Sequence, residues 1–261
     1  MCLNLIIIAV FLAAVSGLAG VCLPRRSIWG QRIAVLMVSG SAILGLTGGA
    51  LAFSVRSLPV LSLPWPAMGH SLVGVDSLSA FFLVPVFLMG GLGSIYGLGY
   101  WSQHHHIKNG RKLQLFWGLL VAGMSLLVIS RHAMAFLLGW EVMALSAFFL
   151  VATEDHKQEC RRAGWIYLIA THIGTLTLFA MFALWRWATG NYDLKPVAEN
   201  TISLSVMNVL FFLSLLGFGM KAGVMPLHFW LPGAHANAPS HISAMLSGVM
   251  LKMGIYGLVR F

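Results

Sequence analysis

Apolar residues come in eight long runs, at 4–23, 33–54, 78–99, 113–130, 133–152, 163–187, 203–222 and 241–260, separated by short polar stretches. Runs of about 18 or more apolar residues carry an α-helix across the hydrocarbon of a bilayer. The pattern therefore predicts an all-α polytopic bundle of about eight transmembrane spans. The longer connections are 55–77, rich in proline and glycine, and 188–202, and neither is large enough for its own core. The seventh run does not end cleanly, because Lys221 is followed within a dozen residues by Pro226 and Pro232. Proline removes an amide donor and clashes with the preceding turn, so 203–232 is predicted to be a broken helix.

Composition places the same limits. The chain is 59% hydrophobic and only 9% charged, whereas soluble domains carry about 25% charged residues. The formal charge of +9 comes from basic residues spread over short loops, which explains it by membrane topology and speaks against nucleic-acid binding. One set of loops holds Arg25, Arg26, Arg32, Lys108, Arg111, Lys112, Lys157, Arg161 and Arg162, and the opposite set only Arg56, Arg131, Arg186, Lys195 and Arg260. Lys and Arg accumulate on the cytoplasmic side, so the N-terminus is expected outside. Cys2, Cys22 and Cys160 lie far apart and form no C-x-x-C, so neither an iron–sulfur cluster nor a disulfide framework is indicated. The first span is expected to stay uncleaved, since no positive charge precedes it.

Apart from Arg186 and Arg260, counted with the flanking loops, three charges fall inside spans. Glu141 lies near the middle of 133–152, Lys252 near the middle of 241–260, and Lys221 at the end of its run beside the break. An ammonium at membrane depth costs about 2.5 to 3.5 kcal/mol on insertion scales and persists where it meets a partner or a watery cavity. Burial works against the lysine's charge and a nearby carboxylate supports it, so moving the carboxylate moves the proton. Discontinuous helices are also where transporters place ion sites. The plainer alternative is a static Glu141–Lys221 pair that only holds helices together, beside a simple proline kink. His172, His228 and His241 are candidate relay or gating groups, with packing or loop bracing the alternative; for His235 bracing is preferred. His104, His105 and His106 have no acidic or cysteine companions and read as surface loop rather than metal site. His132 and His172 differ in depth, which speaks against a haem pair.

The segment Lys221-Ala222-Gly223-Val224-Met225-Pro226-Leu227-His228, then Trp230-Leu231-Pro232-Gly233-Ala234-His235-Ala236-Asn237-Ala238-Pro239-Ser240-His241, then Ser247-Gly248-Val249-Met250-Leu251-Lys252-Met253-Gly254, resembles the antiporter-like subunits shared by respiratory complex I, Mrp antiporters and membrane-bound hydrogenases. Trp140-Glu141 and the order of spans support the likeness. Within that superfamily the stretch Ala234 to His241 is similar to the hydrogenase-4 and formate-hydrogenlyase branch, and Gly233, where complex I members commonly have aspartate, points the same way.

The resemblance implies a proton relay in which Glu141 modulates Lys221 and Lys221 exchanges protons with Lys252. It implies three N-terminal helices in 1–112 and a first five-helix repeat in 113–261, with the second repeat missing from this sequence, which ends at Phe261 like the front part of something longer. The chain is then expected to be a non-catalytic subunit without a cofactor of its own, in the bacterial inner membrane. Its expected partners are other membrane subunits and peripheral redox subunits, and protons are the transported ion. The alternatives are a Mrp-type cation/proton antiporter subunit, a complex I pumping subunit, or a truncated membrane-arm scaffold.

Overall fold

The computed structural model describes residues 1–25, 27–54, 60–65, 69–195 and 202–261. Arg26 and Arg56 of the topology argument lie outside the described residues. Among the described residues eight helical segments are long and apolar enough to cross a membrane, and the protein is a multi-pass membrane protein. The first span, Cys2–Cys22, is bent into α1 (Cys2–Val15) and α2 (Leu18–Cys22). At the bend the Ser16 hydroxyl donates to the Ala13 carbonyl at 2.7 Å, the back-bonding that bends helices. Then come α3 (Trp29–Ser54), α4 (Ser77–Tyr100), α5 (Gly110–Ile129), α6 (Ala133–Val151), α7 (Gln158–Thr189) and α8 (Leu204–Ala222). A short α9 (Leu231–Asn237) follows the break, and the last span runs through α10 (Ser240–Met245), a π-helical turn (Leu246–Met250) and α11 (Leu251–Arg260).

The sequence pattern did not anticipate a small antiparallel hairpin between α3 and α4. Strand β1 (Val60–Trp65) pairs with β2 (Gly69–Gly74), with Val60 opposite Gly74. The hairpin is held to the bundle by the Arg131 amide, which donates to the Leu72 carbonyl at 2.8 Å.

Helix α5 is the axis of the bundle, touching α1, α2, α3, α4, α6 and α11. Its span is 72% buried, against 28% for α8 at the periphery. The closest seam is between α5 and α6, where Gly123 and Gly139 face each other's helix. A Cβ on Gly123 would fall 2.7 Å from the Met143 amide nitrogen and one on Gly139 2.8 Å from that of Leu127. Lipid gives helices no hydrophobic drive to associate, so this close approach of small residues supplies the van der Waals attraction instead. Phe136, Trp140, Phe182, Phe218 and Phe261 fill the space between α6, α7, α8 and the end of α11 with mostly edge-to-face ring contacts.

One membrane-edge cluster ties the N-terminal helices to the rest. Asp76 caps α4 by accepting from the Ser79 amide at 2.8 Å, and its carboxylate pairs with both Arg131, at 3.2 Å, and Arg260. Arg131 also donates to the Ser79 hydroxyl at 2.8 Å, and Tyr256 donates to the Val128 carbonyl at 2.8 Å. Burial alone pushes the Asp76 carboxyl up, but the Arg260 hydrogen bond, the Ser79 amide and the Arg131 charge outweigh it and hold the pKa at about 2.

Candidate functional site

The seventh span stops because Gly223 adopts the left-handed conformation, with φ of 71°, which glycine reaches without strain and which closes helix C-termini. Pro226 then falls in the turn between α8 and α9. Pro232 sits in the first turn of α9, where its missing amide would have had no helical partner. It therefore starts the second piece rather than breaking the first. The carbonyls freed at the end of α8 find other donors: Trp230 Nε1 donates to Met220 O at 3.0 Å.

Lys221 occupies the last turn of α8, on the negative end of the helix dipole. Although α8 is the least buried span, Lys221 is only 2% exposed. Helix α11 closes over it through Gly254, where a Cβ would lie 2.5 Å from the Ala222 nitrogen. The ammonium donates to the Tyr167 hydroxyl at 2.9 Å. Its Nζ also lies 5.1 Å from the centroid of the Tyr167 ring and 6.0 Å from that of Trp140, positions where ring quadrupoles attract a cation. Tyr167 donates onward to the Ala144 carbonyl at 3.3 Å and stands 3.7 Å from Met250 Sδ in the π-helical turn. Four elements thus meet at one hydroxyl.

Among the described residues no carboxylate lies within 4.0 Å of Lys221. The static Glu141–Lys221 ion pair considered above is not formed. Trp140 and Glu141 are neighbours on α6 but point about 100° apart around the axis: the indole faces Lys221, and the Glu141 Oε2 lies 4.0 Å from His172 Nε2 on α7. Its Oε1 is buried with no hydrogen-bond partner among the described residues. His172 Nδ1 is 3.0 Å from the Leu168 carbonyl of its own helix, and the side chain is exposed.

Lys252 lies elsewhere. It is exposed, and its Nζ donates to the Ser247 carbonyl at 2.6 Å, five residues back in the π-helical turn. The i→i+5 geometry of that turn displaces the ordinary carbonyl partners, leaving this oxygen to the ammonium. His228 sits in the turn between α8 and α9 with Nδ1 buried. His241 is 6% exposed and packs against α4 and α5, its ring centroid 5.3 Å from Trp117 and 5.7 Å from Tyr100. His235 Nδ1 braces α9 on Ser243 Oγ at 2.8 Å.

The structure thus brings Lys221 and Glu141 to the same α6–α7–α8 region with Tyr167 and His172, and places Lys252 on an outer face. Sequence reasoning missed Tyr167. A tyrosine in the middle of a long apolar helix, whose hydroxyl must find a partner when buried, was the available signal.

Residues 130–261 match the family described as NADH:quinone oxidoreductase/Mrp antiporter, TM. Hydrogenase-4 component B of Escherichia coli (strain K12) is 36% identical over 186 residues, covering 71% of this chain and 27% of that protein. NADH-quinone oxidoreductase subunit M of the same organism is 30% identical over 259 residues, covering 93% of this chain and 49% of that one. The chain therefore spans between about a quarter and a half of these relatives. A chain of the membrane-bound sulfane sulfur reductase, an archaeal respiratory membrane complex, has the same fold, with a TM-score of 0.85 at 19% identity over 98% of this chain and 52% of that chain.

Proposed function

Because the chain belongs to the NADH:quinone oxidoreductase/Mrp antiporter membrane family, we propose that it moves protons in the membrane arm of a redox-driven complex of the hydrogenase-4 or formate-hydrogenlyase type. It sits in the bacterial inner membrane with its N-terminus outside. Electron transfer belongs to peripheral redox subunits, and further membrane subunits complete the proton path. The observation that carries this reading is Lys221, an ammonium buried at a helix break with a tyrosine hydroxyl as partner and, among the described residues, no carboxylate in contact. A lysine kept only for packing would be expected to have its charge fully paired, because an uncompensated buried charge is costly.

Glu141 is the movable charge. Its carboxylate stands near His172, and a swing toward Lys221 holds the ammonium charged while a swing back to His172 releases the proton. Moving one unit charge through 100 mV changes its energy by about 2.3 kcal/mol, so a modest field along the membrane arm biases the two positions. Lys252, across α11 from the α8 contact, takes the proton onward to the segments or subunits that cover its face. His228 and His241 flank the path as gating groups.

The test is Lys221→Ala in the complete complex, following proton uptake and redox turnover in sealed vesicles. Proton uptake is expected to fall by about a hundredfold, the scale of losing a positioned acid–base group. Unchanged uptake removes the relay, and uptake driven by a cation gradient without any redox substrate replaces this reading with an antiporter.

A further inference from the structure

The edge of the bundle that carries the basic loops holds a groove of about 180 Å³ that the proton path does not use. Its walls come from the first turn of α5, the last turns of α6 and the first two turns of α7, all ending on the same side of the bundle. The floor is apolar, formed by Phe148, Phe149 and Ala152, and Trp165, 58% exposed, makes one wall. Trp165 lies seven residues into α7, about 10 Å below its start. That is the depth at which tryptophan rings mark the boundary between headgroups and acyl chains.

The rim is cationic. Lys112 lies over the Phe149 ring at 5.4 Å and 3.5 Å from Asp155 Oδ2. Arg161 Nη1 donates to the Asp155 carbonyl at 2.8 Å and to the His156 carbonyl at 3.3 Å. Among the described residues its other guanidinium nitrogens make no hydrogen bond within the chain. In the flanking sequence Lys108 and Arg162 add positive charge against Glu159, while Lys157 is paired with Glu154 at 2.7 Å. The Lys112–Asp155 pair is long and exposed, and such pairs add little stability, so Lys112 is free to turn to another anion.

We propose that this groove binds an anionic phospholipid, its phosphate held between Lys112 and Arg161 and the start of an acyl chain lying on Phe148 and Trp165. The volume suits a phosphoglycerol head rather than a whole cofactor, which needs about 300 Å³ or more. A zwitterionic lipid offers the same phosphate with a compensating ammonium, so the charge excess favours the anionic one. Asp155 tempers the site, because it competes with the phosphate for Lys112. The proposal does not depend on the proton relay.

Native mass spectrometry of the full chain in detergent, with phosphatidylglycerol or phosphatidylcholine added in turn, tests it. Wild type is expected to retain phosphatidylglycerol, and Lys112→Gln and Arg161→Gln each to lower that retention about fivefold, the worth of one basic group at an anionic surface. Asp155→Asn is expected to raise it, a gain that a misfolded variant does not produce. Equal retention of phosphatidylcholine overturns the proposal, as do Lys112→Gln/Arg161→Gln chains that retain phosphatidylglycerol like wild type. Failure to retain any lipid also overturns it.

Discussion

Two charged clusters tie the helices of this bundle together, and they are built on opposite plans. At the membrane edge, Asp76 lies between Arg131 and Arg260, and Ser79 completes the set with hydrogen bonds to both Asp76 and Arg131. At depth, Lys221 has Tyr167, Glu141 stands 4.0 Å from His172, and the two opposite charges do not touch. The first cluster is closed, so any movement breaks an interaction. In the second, among the described residues, Lys221 has only the Tyr167 hydroxyl and Glu141 only the long contact with His172, so neither charge is closed off by an opposite one. On the proposed relay, this openness is what would let a field or a charge movement shift the balance between the two arrangements.

That contrast is most directly broken by substitution in both clusters. Lys221→Ala is expected to lower proton movement in vesicles about a hundredfold while leaving the thermal unfolding of the purified chain within a few degrees of wild type. Next in size, Tyr167→Phe removes the hydroxyl that receives the ammonium and is expected to slow proton movement about tenfold, since hydrogen bonds to charged groups contribute about 1.5 to 3 kcal/mol. Wild-type rates in Tyr167→Phe would reduce the tyrosine to packing. Asp76→Ala should do the reverse, lowering stability by about 1 to 3 kcal/mol in denaturant titrations of the detergent-solubilised chain with proton movement retained per folded molecule.

The pH response sharpens the comparison. Asp76 has its folded pKa lowered to about 2 from 3.8. A group lowered in this way stabilises fully above its unfolded value, and the gain is lost as pH falls from about 4 toward 2. The stability gap between wild type and Asp76→Asn should therefore be flat near neutral pH and close in that acid window; a gap that persists unchanged down to pH of about 2 assigns it to packing. The smallest expected effect is His172→Gln. Its contact with Glu141 is long and the ring is exposed, so proton movement should change by less than about fivefold, the upper limit for exposed pairs. A larger loss in vesicle uptake makes His172 an obligatory carrier.

The eight spans found among the described residues were legible because each is a long, predominantly apolar run, which lipid enforces segment by segment. The end of the seventh span was legible too, though Gly223 and Pro226 account for it and Pro232 opens the next helix. The pairing of β1 with β2 was not, because the strands are short and their alternation is diluted by proline and glycine, so nothing local distinguished paired backbone from loop. Arg131 and Arg260 read only as separate loop charges, and nothing local marked Asp76 as their partner until folding brought positions 184 residues apart into contact.

What the sequence determined alone was which segments lie in the membrane and which charges go with them, since the cost of exposing polar backbone or charge to hydrocarbon acts on each segment separately. Only the tertiary structure decided whom those charges meet. Lys221 finds Tyr167 rather than Glu141, and Lys252 turns outward, because contact across helices depends on each helix's rotation about its axis. That rotation is set by small residues such as Gly139 and Gly254 meeting a particular neighbour, a property of pairs of segments that no single segment contains.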